Sequence, residues 1–496
     1  MQLIAGKGFK EATQDDFQRL YFCAPPGGKQ CGSPPCSCSN PPCNKCFDST
    51  TNGVVKKDGC EEGDDSIKCK APPTALAYNG MEWPTMTFPG KAEMHIFAIG
   101  DWGGMDGTLA PVEGRARMVA YRGGNKAGPS VFPRTRFNKH HSVELCSHTQ
   151  FTQCYNSKGM GCTPGCGYVP GVDDKAQLLV AQAMQQRAAR NSPQYILNVG
   201  DNFYWGGIEK TCGTPMDQIS YTAHHQFDQI YESVYTGPGL DQAPWFSVLG
   251  NHDWGGRVFN NGWDQQIAYT WNSKRWVMPA AYYSARVEYP DQAMDASDMN
   301  QDPEHNICGA AHNPKDASCA SQGGPESIAT CKKWFWDMWA KQQAWVQDKL
   351  TASTADWQII VTHFPCGHQS AFYQKMHQQF GLDLLITGHR HDQELWDPKR
   401  MGGLTCFVTG GGGGISSEAT PNPMNKRDWY GEAQYGFYDM TINKERILIQ
   451  SINWDGTELQ SATVDPIGLP TTTTTTTTTE EVELAPVPVA DPVPVA

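Results

Sequence analysis

Five short apolar runs in this chain end alike, and that shared ending constrains the fold more than any other feature. They read MHIFAIGDWGG, YILNVGDNFYWGG, WFSVLGNHDWGG, WQIIVTHFP and LDLLITGHRHD. Each has the length and apolar content of a strand buried on both faces. Each then breaks into Asp, Asn or His, side chains that hold metal ions and protons. Helical patterns lie between several of the runs, clearest at residues 173 to 190, where Asp173 and Asp174 suit the positive end of a helix and Leu178, Leu179, Ala183 and Met184 make an apolar stripe. Strands alternating with helices imply an α/β fold whose sheets are covered by helices and whose site lies at the strands' carboxyl ends. One Gly-Asp turn after a strand is ordinary turn chemistry. Five strand ends of this kind in one chain predict a site.

The stretch LLITGHRHDQEL, residues 384 to 395, indicates what that site holds. Residues two apart on an extended chain point to opposite faces, so His389 and His391 cannot crowd one atom if the strand continues. They can serve two neighbouring atoms, and Gly388 lets the backbone leave the strand and approach them. Two adjacent cations repel and need a shared anion, for which Asp201 is the natural bridge. Asp101, Asp201 and the phenolate of Tyr204 are hard donors that suit a trivalent ion. Asn251, His363 and His389 are neutral donors that, with the bridging carboxylate, suit Fe(II), Zn(II) or Mn(II).

The order Gly-Asp-X-Gly, Gly-Asp-X-X-Tyr, Gly-Asn-His-Asp, Val-X-His and Gly-His-X-His resembles the purple acid phosphatases within the metallophosphoesterases. GDNFYWGG, PWFSVLGNHDWGG and QIAYTWNSKRWVMPAAYY are similar to the small, tartrate-resistant type, and the resemblance covers roughly residues 92 to 455. It implies a sandwich of two mixed β-sheets flanked by helices. It also implies Asp101, Asp201, Tyr204 and His391 as Fe(III) ligands, and Asp201, Asn251, His363 and His389 as ligands of a divalent Fe, Zn or Mn. His252 matches a residue that contacts phosphate. Other metallophosphoesterases carry a His two residues after the first Asp; here that position is Gly103, and Tyr204 takes up the vacancy. Small members of the family also place a second phosphate-contacting His nine residues after the Val-X-His histidine, where this chain has Phe372. His368 is the candidate substitute, against the plainer reading of a loop histidine without a role.

The expected activity is therefore that of an acid phosphatase acting on phosphate monoesters, by in-line displacement with a metal-held hydroxide as nucleophile and His252 as proton donor. Two other readings stand beside it. One is a phosphodiesterase or nucleotide hydrolase on the same metals. The other is a surface or matrix protein whose Cys-rich leader binds a partner and whose catalytic core is vestigial.

Composition narrows the setting. The net charge of −13 argues against nucleic acid as a partner, and no apolar run is long enough to span a bilayer. Oligomeric state is not legible. Eight of eighteen cysteines (Cys23, Cys31, Cys36, Cys38, Cys43, Cys46, Cys60 and Cys69) crowd the first seventy residues, which reads as a disulfide staple, with a zinc site at Cys43 and Cys46 as the competing reading. Cys146, Cys154, Cys162 and Cys166 look like a second stapled loop. Disulfides point to a secreted or lumenal protein, although residues 1 to 22 lack the apolar core of a signal peptide. Three parts follow: a Cys-rich leader at 1 to 90, a catalytic region at 91 to 465 with a long insertion at 104 to 172 that starts beside Asp101, and a disordered tail at 466 to 496 with nine consecutive threonines. With its own core, the catalytic region is expected not to need the leader. The GGGGG run at 410 to 414 lacks the Lys-Ser/Thr of a Walker loop and reads as a turn that lets backbone approach the metals.

Overall fold

Each of the apolar runs forms a strand. In the computed structural model, which describes residues 66–88, 94–104, 172, 176–204, 206–256, 258–289, 292–299, 307–310, 313–414 and 435–467, they are β2 (Met94–Ile99), β3 (Tyr195–Asn198), β4 (Trp245–Ser247), β8 (Trp357–Thr362) and β9 (Leu384–Thr387). The others in chain order are β1 (Met81–Thr87), β5 (Trp276–Val277), β6 (Tyr283–Tyr289), β7 (Gln292–Met299), β10 (Gln393–Trp396), β11 (Thr405–Thr409), β12 (Gly436–Ile442), β13 (Ile447–Asn453) and β14 (Glu458–Val464). The helices are α1 (Ala176–Asn191), α2 (Tyr221–Phe227), α3 (Trp263–Ala268), α4 (Ile328–Ala352) and α5 (Ser370–Phe380).

The strands make two seven-stranded sheets, in the orders β1-β6-β7-β8-β9-β11-β10 and β14-β13-β12-β2-β3-β4-β5. Both are mixed: β2, β3, β4 and β5 run parallel, as do β7, β8, β9 and β11, while β12, β13 and β14 close their sheet as an antiparallel meander. This is the metallophosphoesterase-like sandwich that the resemblance implies.

Alternation along the strands fixes what lies between the sheets. Ile359 and Val361 of β8, Leu384 and Ile386 of β9 and Phe407 of β11 join the large core shared with Phe97, Leu197 and Phe437 of the other sheet. Their neighbours Ile360, Leu385, Cys406 and Val408 face a second core with Trp339 and Val346 of α4 and Tyr373 and Met376 of α5. Burying each of these side chains stabilises the fold by roughly 2 kcal/mol. The Phe407 and Tyr438 rings, 4.4 Å apart, bring the two sheets into direct contact. On the far side of the other sheet α1 packs on β12 and β13. Its Arg187 and Asn191, together with His95 of β2, donate to the fully buried Asp439 carboxylate at 2.7, 2.6 and 2.9 Å.

One boundary differs from the sequence reading. Strand β1 lies in the stretch assigned to the Cys-rich leader, yet it pairs in parallel with β6 as the edge of its sheet. Trp83 and Ala75 from the same segment are buried in the main core. Ala75 N donates to Gln322 Oε1 at 3.0 Å and Trp271 Nε1 to Ile67 O at 3.1 Å, so residues 66–88 are part of the catalytic fold. Pro84 inside β1 is tolerated because an edge strand has an amide row without a partner. The bulk of the cysteine cluster, insertion residues 105 to 171 and the tail beyond residue 467 lie outside the described residues. Disulfides join Cys212 to Cys319, Cys308 to Cys331 and Cys366 to Cys406.

Candidate metal centre

The carboxyl ends of the parallel strands of both sheets meet, and the polar strand endings converge there. Asp101 follows β2, Asp201 and Tyr204 follow β3, Asn251 and His252 follow β4, His363 follows β8, and His389 and His391 follow β9. The local backbone is what turns them inward. Asp101, Asp201 and His389 are three of only five non-glycine residues with left-handed backbone among the described residues, at φ 56°, 53° and 70°. Each aims its side chain back across the strand end instead of along it. For a residue other than glycine that conformation persists only where the surroundings enforce it.

Two donor clusters result. In one, Asp101, Asp201 and His391 bring ligand atoms within 4.8 Å of one another; in the other, Asp201, His363 and His389 do the same. Asp201 belongs to both. The Tyr204 hydroxyl, fully buried, donates to Asp201 Oδ2 at 2.8 Å and lies 3.1 Å from Asp101 Oδ1 and 3.3 Å from His391 Nε2. Asn251 Oδ1 accepts at 2.9 Å from both His363 Nε2 and His389 Nδ1. His363 Nδ1 donates to Val199 O at 2.9 Å, which aims its Nε2 at the cluster.

The electrostatics describe a cluster of buried groups that shift one another's protons. Burial, opposed by His363 and reinforced by the Asp201 charge, holds the Asp101 carboxyl well above the usual carboxylate range. Burial acts against ionisation of Asp201 too, but His363, His252 and His389 outweigh it and hold that carboxyl well below the usual range. Burial and the two carboxylates push the Tyr204 phenol well up. Burial alone would lower His363, yet Asp201 and Asp101 raise it to about 9. Two carboxylates, a phenol, an amide oxygen and three imidazoles, all convergent, fit a pair of hard or borderline cations. Metal ions placed in the two clusters would supply the charge that protons supply here.

The glycines beside the ligands allow this crowding. A Cβ at Gly103 would sit 1.8 Å from the Asn202 carbonyl oxygen, so no histidine can stand at that position in this chain. Tyr204 N instead donates to Gly103 O at 2.9 Å, and its ring brings oxygen to the cluster from the opposite loop. The GGGGG run passes alongside: Gly412 N donates to Gly100 O at 3.0 Å and Gly414 N to Asp101 O at 2.8 Å.

His252 stands at the rim. Its backbone N donates to Asp201 Oδ1 at 2.9 Å, its Nε2 is 4.0 Å from Asp201 Oδ2, and its ring centroid is 4.5 Å from that of Tyr204. His368 is farther out, its ring 5.1 Å from Phe364, which in turn lies 5.0 Å from His389. Phe372 turns away altogether and packs on Trp339 of α4 at 5.9 Å.

Sequence reasoning missed what lies beneath the cluster. Asn198, Asn202, Asp253 and Gln266 are fully buried and bonded to one another, with Trp102 Nε1 donating to Asn198 Oδ1 at 2.9 Å. The signal was the Asn in the middle of YILNV, a polar residue where an apolar strand has no use for one. Asp253 accepts from Asn202 N, Phe203 N and Gly250 N. Burial and the Asp201 charge raise it to about 7.

Comparison with known proteins agrees with this site. Residues 94–393 match the calcineurin-like phosphoesterase model. The chain is similar to tartrate-resistant acid phosphatase type 5 of Oryctolagus cuniculus, 25% identical over 252 residues that cover 49% of this chain and 68% of that protein. It is similar to the Sus scrofa counterpart at 28% over 185 residues, 37% of this chain and 46% of that protein. Purple acid phosphatase 3 of Arabidopsis thaliana is 37% identical over 82 residues, 16% of this chain and 19% of that one. Among solved structures, GAP50, the anchor in the inner membrane complex of Plasmodium, overlaps 76% of this chain and 90% of its own at 14% identity and a TM-score of 0.44. With its match spanning more than half the sequence and a two-cluster site at the strand ends, the chain belongs to the calcineurin-like phosphoesterase family of metal-dependent phosphoesterases.

Proposed function

We propose that this phosphoesterase is an acid phosphatase of the purple type, hydrolysing phosphate monoesters on an Fe(III) ion paired with a divalent Fe, Zn or Mn. The observation that carries the reading is the Tyr204 hydroxyl set between Asp101 and Asp201, with Gly103 leaving no room for an imidazole in its place. A phenolate with two carboxylates and one imidazole is a donor set that favours a trivalent ion.

Asp101, Asp201, Tyr204 and His391 would hold the ferric ion, and Asp201, Asn251, His363 and His389 the divalent one. Bound there, the pair supplies an acidic water as nucleophile and positive charge for the phosphoryl oxygens. The chain's own residues do the rest. Asp201 sets the separation of the two pockets because it serves both. Val199 O, by accepting from His363 Nδ1, keeps that ring from rotating out of its pocket. His252, only 12% exposed and near the shared carboxylate, carries the proton on Nε2 that the leaving oxygen needs. His368, beyond the Phe364 ring, reaches only the outer part of a substrate.

The test is a visible spectrum with metal analysis on purified protein, and turnover of an aryl phosphate monoester against the matching diester at acid pH. Iron, a visible charge-transfer band and a preference for the monoester are expected. Two bound metals without iron, or faster turnover of the diester, would overturn the reading in favour of a phosphodiesterase on the same ligands.

A further inference from the structure

The three loops that carry Asp101, Asp201 and Asn251 are tied together unequally. Between the Asp101 loop and the Asp201 loop the backbone does the work: Asp101 N donates to Gly200 O at 2.9 Å, Gly103 N to Asp201 O at 3.5 Å, and Tyr204 N to Gly103 O at 2.9 Å. Between the Asp201 loop and the Asn251 loop, side chains make the ties. Asp201 Oδ1 accepts from His252 N at 2.9 Å and Asn202 Nδ2 donates to Val248 O at 2.9 Å, but the Asp253 carboxylate makes the larger set of bonds. Asp253 Oδ1 accepts from Asn202 N at 2.9 Å, Phe203 N at 3.1 Å and Gln266 Nε2 at 3.1 Å. Its Oδ2 accepts from Asn202 N at 3.0 Å and from Gly250 N at 2.7 Å. Gln266 completes the tie, its Oε1 accepting from Asn202 Nδ2 at 3.1 Å.

We infer that Asp253 is a positioning residue that sets the divalent pocket apart from the ferric one: it fixes Asn251 against Asp201, so that the pocket of Asp201, Asn251, His363 and His389 exists before any ion arrives. This rests on the two-metal reading above. The Asp101, Asp201, Tyr204 and His391 pocket does not depend on it, because Asp201 and Tyr204 share one loop and that loop is bonded to the Asp101 loop through main chain. Replacing Asp253 by Asn puts an amide N–H against backbone N–H groups on one side of the clamp, so one of the two loops loses its acceptor. Ligands displaced by a fraction of an ångström bind metal far less well.

The experiment is a titration of metal-free full-length protein with Zn(II), wild type against Asp253→Asn, followed by calorimetry, with circular dichroism and thermal unfolding of the metal-free proteins alongside. The wild type should take up two ions. In the variant one site should keep its affinity within a few-fold while the other weakens at least tenfold, so that dialysis leaves one ion per chain. If Asp253→Asn does not fold, Gln266→Met, which removes only the side-chain support, should weaken the same site to a smaller extent. A variant that binds two ions with wild-type affinities, or that loses both equally, overturns the inference and leaves the two-metal reading standing. A lower melting temperature with unchanged binding assigns Asp253 a purely structural role and overturns it as well. A wild type that binds no Zn(II) refutes the metal reading together with the inference.

Discussion

Tyr204→Phe removes one oxygen from the centre of the site, and its consequences differ with and without metal. In the metal-free protein the phenol stays neutral, because burial and two carboxylates push its proton loss well above the ordinary range. A neutral hydroxyl has one hydrogen to give, so only the 2.8 Å bond to Asp201 Oδ2 is counted, and the approach to Asp101 adds no second bond. A hydrogen bond to a charged group is worth about 1.5–3 kcal/mol. Asp201 Oδ2 also faces His363 Nε2 at 3.4 Å, so the carboxylate is not left bare and a loss of about 2 kcal/mol is expected, roughly a thirtyfold change in the folding equilibrium. The urea midpoint of chelator-treated protein should fall accordingly. In the metal-loaded protein the same change removes a ligand, and the visible band should vanish with little change in far-UV dichroism. A Tyr204→Phe variant that keeps both its iron and its colour would refute the placement of Tyr204 as a ligand. An unchanged urea midpoint would refute the hydrogen-bond accounting.

Three further outcomes are open to measurement. His252→Ala should retain two metals and slow turnover by roughly 10² or more, the range for a lost proton donor, while His368→Ala should do less; loss of metal from the first would make His252 a ligand. The metal-free protein should lose stability as pH rises. His363 is raised from 6.5 to about 9 in the fold, so its contribution is full below 6.5 and gone above about 9, and the raised Asp101 acts in the same direction; a melting temperature in chelator that is equal or higher at pH 9 than at pH 6.5 would contradict this. A chain beginning at Ser66 should fold and bind metal, whereas one beginning at Phe88 should be several kcal/mol less stable, because it lacks β1 and the buried Trp83; equal urea midpoints for the two would show that β1 contributes nothing.

The sequence exposes the candidate ligands because each sits where a buried apolar run stops, a pattern that needs no tertiary information. The helix expected from residue 173 is α1 (Ala176–Asn191). What escaped detection follows from weaker local signals. Strand β1 carries Pro84 and an irregular exposure pattern, and the adjoining cysteines disguise it as leader. Strand β5 has two residues, Trp276 and Val277, and pairs with β4, so no periodicity can reveal it. The pairings of Cys212, Cys308 and Cys366 with partners up to 107 residues away depend on the packed fold alone. The support under the two donor clusters is hidden for a similar reason. Asn198, Asp253 and Gln266 come from three separate elements, and each looks like an ordinary polar residue until the fold buries all three.

The left-handed backbone at Asp101, Asp201 and His389 also bears on whether this core is working or vestigial. Glycine would adopt these angles without penalty, whereas each of the three residues present gives up roughly 1 kcal/mol of backbone energy. A chain retained only as a scaffold or docking platform could shed that burden by single substitutions to glycine, and random drift would tend to find them, since they also remove buried charge and a crowded imidazole. This chain has glycine at none of the three. Strain of that kind clusters at working sites, and here it falls on three residues that supply the two donor clusters.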